Sequence, residues 1–307
     1  MALSIDQVTA FLTEHIGPAV NEVTIINGGA SSQAFCYMYS GVQHVIRFSQ
    51  REEDFLKDEL AASFAGEKLP IPRILEVGEA LDGYFAISEY IQGHILDSLN
   101  QADMQRTVPA VLEMLDGLRN ASTAELSGYG RWNGKGIGPY SSWQEHIADA
   151  GNDNIDSRMH GWKDKLAASP VGLNGFNQAL DQLQKLVHFC PEEPHLIHSD
   201  LLYKNVLVED GHIAGVLDWG NSMRGDFLYD LAWLSFWSPW YHAMKDINWD
   251  EQAAAHYEAT GLQVNNFKER MLCYKLHIGL DAQGWNAFQQ NWDGLKAVTD
   301  KTLALLW

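Results

Sequence analysis

A chain of 307 residues with nearly half its side chains apolar can build one large or two modest hydrophobic cores, and its composition excludes a disordered or fibrous protein. Its formal net charge of −19 disfavours nucleic acid and anionic membranes as partners and suits a cationic ligand, with solubility as the plainer use of the charge. Cys36, Cys190 and Cys273 are far apart and form no CxxC pair, which argues against a disulfide framework or zinc site and for the reducing cytosol.

The first twenty residues, MALSIDQVTAFLTEHIGPAV, have no basic start or long apolar stretch and are expected to form an amphipathic helix rather than an export signal. The chain holds no run of about 18 apolar residues, so no membrane-spanning helix is expected. From Val23 the period changes. Three strands are predicted near 23–27, 33–39 and 44–49, with turns at Gly28-Gly29 and Ser40-Gly41. Residues 51–69 carry apolar side chains at helical spacing, and 70–93 returns to strands around a turn at Asp82-Gly83.

Beyond about residue 97 the text is mostly helical, as in DMQRTVPAVLEMLDGLRNAS, SWQEHIADA and GLNGFNQALDQLQKLVHFC. The glycine-rich GRWNGKGIGPY marks a long loop at the rim of a cleft. The exception to the helical pattern is HLIHSDLLYKNVLVEDGHIAGVLDWG, where two short strands, NVLVE and IAGVLD, flank a turn at Asp210-Gly211. Aromatic-rich helices then run to the end. A β-rich lobe over 1–91 followed by a larger, mostly helical lobe over 92–307 places a ligand in the cleft between them.

Asp200, Asn205 and Asp218 stand out by spacing. The first two share one loop, and the hairpin returns the third beside them. Two oxygen-bearing side chains at a hairpin mouth suit Mg²⁺, a hard cation that keeps several positions for water and phosphate. The remaining carboxylate can accept a proton from a hydroxyl. Base plus metal site is the division of labour that phosphoryl transfer requires. Each residue alone has an ordinary reading as a turn former or strand terminator.

HSDLLYKNVL and GVLDWG, followed by GDFLYDLAWL, resemble the aminoglycoside phosphotransferase family, small-molecule kinases with a protein-kinase-like fold. LPIPRILEVGE, GIGPYSSWQEHI, CPEEPHLIHSDLLYKNVL and LSFWSPW extend the likeness over nearly the whole chain and point to the branch that acts on hygromycin B. The resemblance implies an α+β, protein-kinase-like two-lobed fold and ATP or GTP as co-substrate with Mg²⁺. It further implies a cationic aminoglycoside as acceptor and a monomer in the cytoplasm. Asp200 would orient or deprotonate the acceptor hydroxyl, and Asn205 and Asp218 would hold the metal. His198 would brace the loop, while Asp226 and Asp230 would hydrogen-bond loop backbone and cap the next helix.

The nucleotide lobe departs from the family pattern. In HVIRFS the inward cation is Arg47 where a lysine is expected, and an arginine keeps the charge while changing the geometry. Glu59 is the expected partner of Arg47, with Glu53 second. NGGASSQAF lacks G-x-G-x-x-G, leaving Ser31 or Ser32 to reach phosphate, and the purine would contact backbone near Glu89 and Ile91. For the acceptor, Trp237 and Trp240 offer faces to sugar rings and Asp281 offers a carboxylate to an ammonium, each with a core or capping role as the alternative. Two competing readings remain: a choline- or homoserine-kinase-like enzyme on the same fold, and an inactive binder of a cationic ligand.

Overall fold

The computed structural model describes residues 3–26, 32–155, 157–202 and 204–307. Helix α1 (Ile5–Ile16) starts at a capping box in which Ser4 and Gln7 satisfy each other's backbone N–H groups. Strands β1 (Val20–Ile26), β2 (Gln33–Tyr39) and β3 (Val42–Ser49) lead into helix α2 (Glu52–Ala62), which is followed by β4 (Ile74–Ala80) and β5 (Gly83–Glu89). These five strands form one antiparallel sheet in the order β1-β2-β3-β5-β4. Val8 and Leu12 of α1 pack on Phe35, Tyr37, Ile46, Phe48, Phe85 and Ile87 to make a separate core for this lobe.

The two-residue loop Ser40-Gly41 has positive φ at both positions, the geometry that matches the twist of a hairpin. The hairpin between β4 and β5 turns on Leu81-Asp82, one residue ahead of the predicted pair, because Gly83 is already paired with Ala80. A side chain at Gly83 would meet the Ser49 carbonyl at 2.7 Å, so glycine is needed there for close approach and not for the turn.

The second lobe opens with β6 (His94–Ile95) and the long helix α3 (Gln101–Asn120). It continues through β7 (Gly130–Arg131), α4 (Trp143–Ala148), α5 (Trp162–Ala168), α6 (Asn174–Leu186) and β8 (His195–Ile197). Then come the hairpin β9 (Val206–Glu209) and β10 (His212–Val216), strand β11 (Met223–Gly225), and helices α7 (Leu228–Trp237), α8 (Trp249–Thr260), α9 (Phe267–Gln289) and α10 (Trp292–Ala304). One large core runs through these helices, with Trp132, Trp143, Trp219 and Trp249 among its fully buried side chains. The α+β, protein-kinase-like division into a β-rich and a helical lobe, each with its own core, is therefore the observed architecture.

Two small sheets belong to the large lobe, β10-β9-β6 and β7-β11-β8. Their shortest strands, β6, β7, β8 and β11, hold two or three residues each, too few to show a period of two in the sequence. The predicted rim loop after β7 is partly interior: Trp132 is buried, and a side chain at Gly134 would sit 3.0 Å from Leu56 of α2. Among the described residues no helix is long and apolar enough to cross a membrane.

Candidate active site

The loop between β8 and β9 is built around buried backbone. His198 and Ser199 donate their amides to the two carboxylate oxygens of Asp230, at 2.8 and 2.7 Å, from the first turn of α7. Ser199 has φ of +63, a conformation L residues rarely adopt, and Asp230 is what holds it there. The His198 ring is buried beside Trp219. Its Nδ1 accepts from the Asp200 amide at 3.2 Å, which leaves Nε2–H to donate to the Leu217 carbonyl at 2.9 Å. With both nitrogens committed, and burial pushing its pKa down to about 4, His198 is a neutral brace between loop and hairpin.

Asp200 emerges from this loop half-buried. Asn205 Nδ2 donates to its backbone carbonyl at 2.8 Å, and among the described residues the Asn205 amide oxygen has no hydrogen-bond donor. Asn221 Nδ2 donates to Asp200 Oδ2 at 3.1 Å and orients the carboxylate. Burial first, and then the Asp218 carboxylate, push the Asp200 carboxyl up to about 7, which keeps it a competent base near neutral pH.

Asp218 follows β10 with φ of +60 and begins a tight turn over Trp219–Asn221. Its side chain is open to the cleft. The protein packed around it, and then Asp58, raise its pKa, and the Arg47 charge offsets part of that rise. Among the described residues no three His, Cys, Asp or Glu side chains form a metal cage. Magnesium does not require one. An open carboxylate at Asp218 and the uncommitted amide oxygen of Asn205 fit a cation that binds through one or two protein oxygens.

Arg47, on β3, pairs with Asp58 of α2 and lies over the Phe55 ring, and its charge reaches Asp218. The expected partner Glu59 is on the exposed face of α2, and the alternative Glu53 pairs with Arg51 at 3.4 Å. The correction is one residue, and helical geometry explains it. Phe55, Asp58 and Ala61 recur every three residues on the inward face, while position 59 is turned away by about 100°. Asp58 also accepts the Trp219 amide at 2.8 Å, so one carboxylate ties the cation to the turn that carries Asp218.

The remaining predicted residues are placed as follows. Ser31 lies outside the described residues, and Ser32 is half-buried just before β2. The Glu89 amide donates to the Arg73 carbonyl and its side chain pairs with Arg73, so a purine there must use other backbone groups of the linker. Ile91 packs on Gly215 of β10. Trp237 and Trp240 belong to one aromatic cluster with Phe236. Trp240 is 45% exposed, and the buried Trp233 and Trp237 ring N–H groups have no acceptor among the described residues. Asp281 on α9 pairs with Arg131 of β7 at 3.2 Å.

Asp226 is fully buried and takes a bidentate ion pair from Arg270, at 2.6 and 2.8 Å, together with the Tyr274 hydroxyl and the Leu228 amide at the start of α7. Four residues of the site escaped the sequence reading: Lys57, Asp58, Arg131 and Asn221. Asp58 shares a helix face with Phe55 and Ala61, but only the packing between the lobes shows that this face turns inward. Arg131 and Asn221 are brought to Asp200 only by the β7-β11-β8 sheet and the turn after Asp218, and nothing local marks them.

The sequence profile described as the phosphotransferase enzyme family matches residues 22–267. Hygromycin-B 4-O-kinase from Escherichia coli is 30% identical over 293 residues, covering 95% of this chain and 82% of that protein. The crystal structure of a thermostable mutant of aminoglycoside phosphotransferase APH(4)-Ia, in ternary complex with AMP-PNP and hygromycin B, superimposes with a TM-score of 0.83 at 30% identity. It covers 97% of both chains. Spectinomycin phosphotransferase APH(9)-Ia, at 16% identity and a TM-score of 0.64, shares the fold. With Asp200, Asn205 and Asp218 brought together after β8 and β10 and these relatives spanning nearly all of its length, the chain belongs to the aminoglycoside phosphotransferase family of phosphotransferase enzymes.

Proposed function

We propose that this enzyme transfers the γ-phosphoryl group of ATP or GTP to a hydroxyl of an aminocyclitol antibiotic, hygromycin B first, and so confers resistance to it. Residues 1–91 form the nucleotide lobe and 92–307 the catalytic and acceptor lobe. The observation that carries the reading is the convergence of Asp200, Asn205 and Asp218 at one cleft mouth, in a chain 30% identical to a hygromycin-B 4-O-kinase.

Asp200 accepts the acceptor hydroxyl proton as the acceptor oxygen bonds to the γ-phosphorus and the bond to the β–γ bridging oxygen breaks, releasing nucleoside diphosphate. Asn221 holds the Asp200 carboxylate in place through this step. Arg47, fixed by Asp58, meets the nucleotide phosphates. Mg²⁺ held by Asn205 and Asp218 neutralises phosphate charge when bound. Trp237 and Trp240 line the acceptor side, and Asp281, held by Arg131 through one carboxylate oxygen, offers the other to an ammonium group. Free thiols at Cys36, Cys190 and Cys273, the last two 3.7 Å apart and not bonded, fit the cytosol where the nucleotide is found. We take the working unit to be a monomer.

The test is nucleoside diphosphate release across hygromycin B, other aminoglycosides, choline and homoserine, each with ATP and with GTP. Turnover with hygromycin B is expected. Turnover only with a small amino alcohol would reassign the acceptor, and release with no acceptor in the panel would overturn the reading.

A further inference from the structure

The turn over Trp219–Asn221 carries two functional side chains at once. Asp218 enters it with φ of +60, and Asn221 leaves it to hold Asp200. A short turn with a non-glycine residue in that conformation needs outside support to stay in one geometry. Two consecutive residues of α2 supply it. Asp58 accepts the Trp219 amide at 2.8 Å, and Lys57 Nζ donates to the Gly220 carbonyl at 2.6 Å.

Lys57 is only 3% exposed, which is rare for a lysine outside an ion pair. Its ammonium lies 4.7 Å from the Trp132 ring, and Trp132 is itself buried. The aromatic face and the carbonyl replace the water that a charged group would otherwise keep. Burial, and then the Arg131 charge, push the Lys57 pKa down to about 8, so the group stays charged at neutral pH despite its surroundings. A core that needed only volume at this position would be filled by leucine or methionine at no desolvation cost.

We propose that Lys57 is a positioning residue for phosphoryl transfer: with Asp58 it clamps the Trp219-Gly220 peptide groups and so sets Asp218 and Asn221 relative to Asp200. The inference rests on the kinase reading, but its first test does not use the acceptor. Lys57→Met keeps the stem and removes the donor, while Lys57→Gln keeps an N–H donor without the charge.

Titrating Mn²⁺ into each full-length variant with saturating ADP reads the metal site directly. Lys57→Met is expected to weaken Mn²⁺ binding about tenfold, the cost of one charge-assisted hydrogen bond, with Lys57→Gln in between. In turnover, Lys57→Met is expected to lower kcat at least tenfold while the acceptor KM changes by less than about twofold. Wild-type Mn²⁺ affinity and kcat in a folded Lys57→Met would overturn the proposal, as would equal losses in acceptor KM, nucleotide affinity and kcat, the mark of a purely structural residue. If Lys57→Met does not fold, Lys57→Gln carries the same test, with wild-type Mn²⁺ affinity counting against the clamp. If the wild type binds Mn²⁺·ADP but fails to turn over hygromycin B, the acceptor assignment falls and the Mn²⁺ comparison still decides the role of Lys57.

Discussion

On the proposed reading Asp200 is the base, and its strength is set by its surroundings. Its raised pKa means that near neutral pH part of the population is protonated and unable to accept a proton. The rate should therefore rise with pH through about 7, since the ionised form is the active one, and bound divalent cation should move that limb to lower pH. A pH profile of kcat/KM at low and saturating Mg²⁺ checks both, and a flat profile between about pH 5 and pH 8 would exclude Asp200 as the titrating base. Asp200→Asn should cost on the order of a hundredfold or more in kcat with nucleotide binding retained.

The Arg47 pair yields a sharper contrast at the same scale. Asp58→Asn removes the charge that fixes Arg47 and weakens the hold on the Trp219 amide, so the nucleotide KM should rise about tenfold and kcat should fall. Glu59→Gln, one position along the helix and exposed, should stay within about twofold of wild type. Equal effects from the two substitutions would mean that the helix is oriented differently in the working enzyme.

At the scale of elements, the site depends on how α7 and α9 are joined beneath it. Asp226, at the entry to α7, is locked to Arg270 of α9 by two hydrogen bonds in a fully buried setting, with Tyr274 completing the carboxylate. Four residues on, Asp230 grips the backbone of the loop between β8 and β9. Arg270→Met would leave Asp226 buried and without its cation, and the expected loss is about 3–5 kcal/mol in urea unfolding, larger than any surface ion pair here would give. Asp226 thus anchors helix to helix, whereas Asp230 anchors helix to loop, although the sequence reading gave the two the same role.

For the whole molecule, the charge of −19 becomes a property of the reaction. Asp218 is close enough to Asp200 to raise its pKa, and Asp281 lies beside them across Arg131. The cations among these carboxylates (Arg47, Lys57, Arg131 and Arg158) sit in a chain whose balance is strongly negative. A polycationic acceptor should be drawn to such a cleft, and kcat/KM for it should fall about tenfold as salt is raised to screen the field, while a neutral acceptor shows little change. Insensitivity to ionic strength would leave solubility as the only use of the charge.

The chain's own sequence determined the two-lobe order, the hairpin turn at Asp210-Gly211 and the Asp200, Asn205 and Asp218 triplet. The lobe order rests on a change of side-chain period along the chain, and the turn and the triplet rest on spacing within about twenty residues, where backbone geometry acts directly. The family resemblance marked His198 as a brace, and the structure supplies the contacts, the Asp200 amide on one ring nitrogen and the Leu217 carbonyl on the other. Only the tertiary structure decided that Asp58 and not Glu59 holds Arg47, that Lys57 meets Gly220 across 163 positions of chain, and that Arg131 occupies the Asp281 carboxylate. Those contacts join elements far apart in sequence, and a charge on a helix reads the same whether its face is solvated or packed. The direction in which α2 turns its inward face is set by the fit between the lobes, which no local pattern encodes.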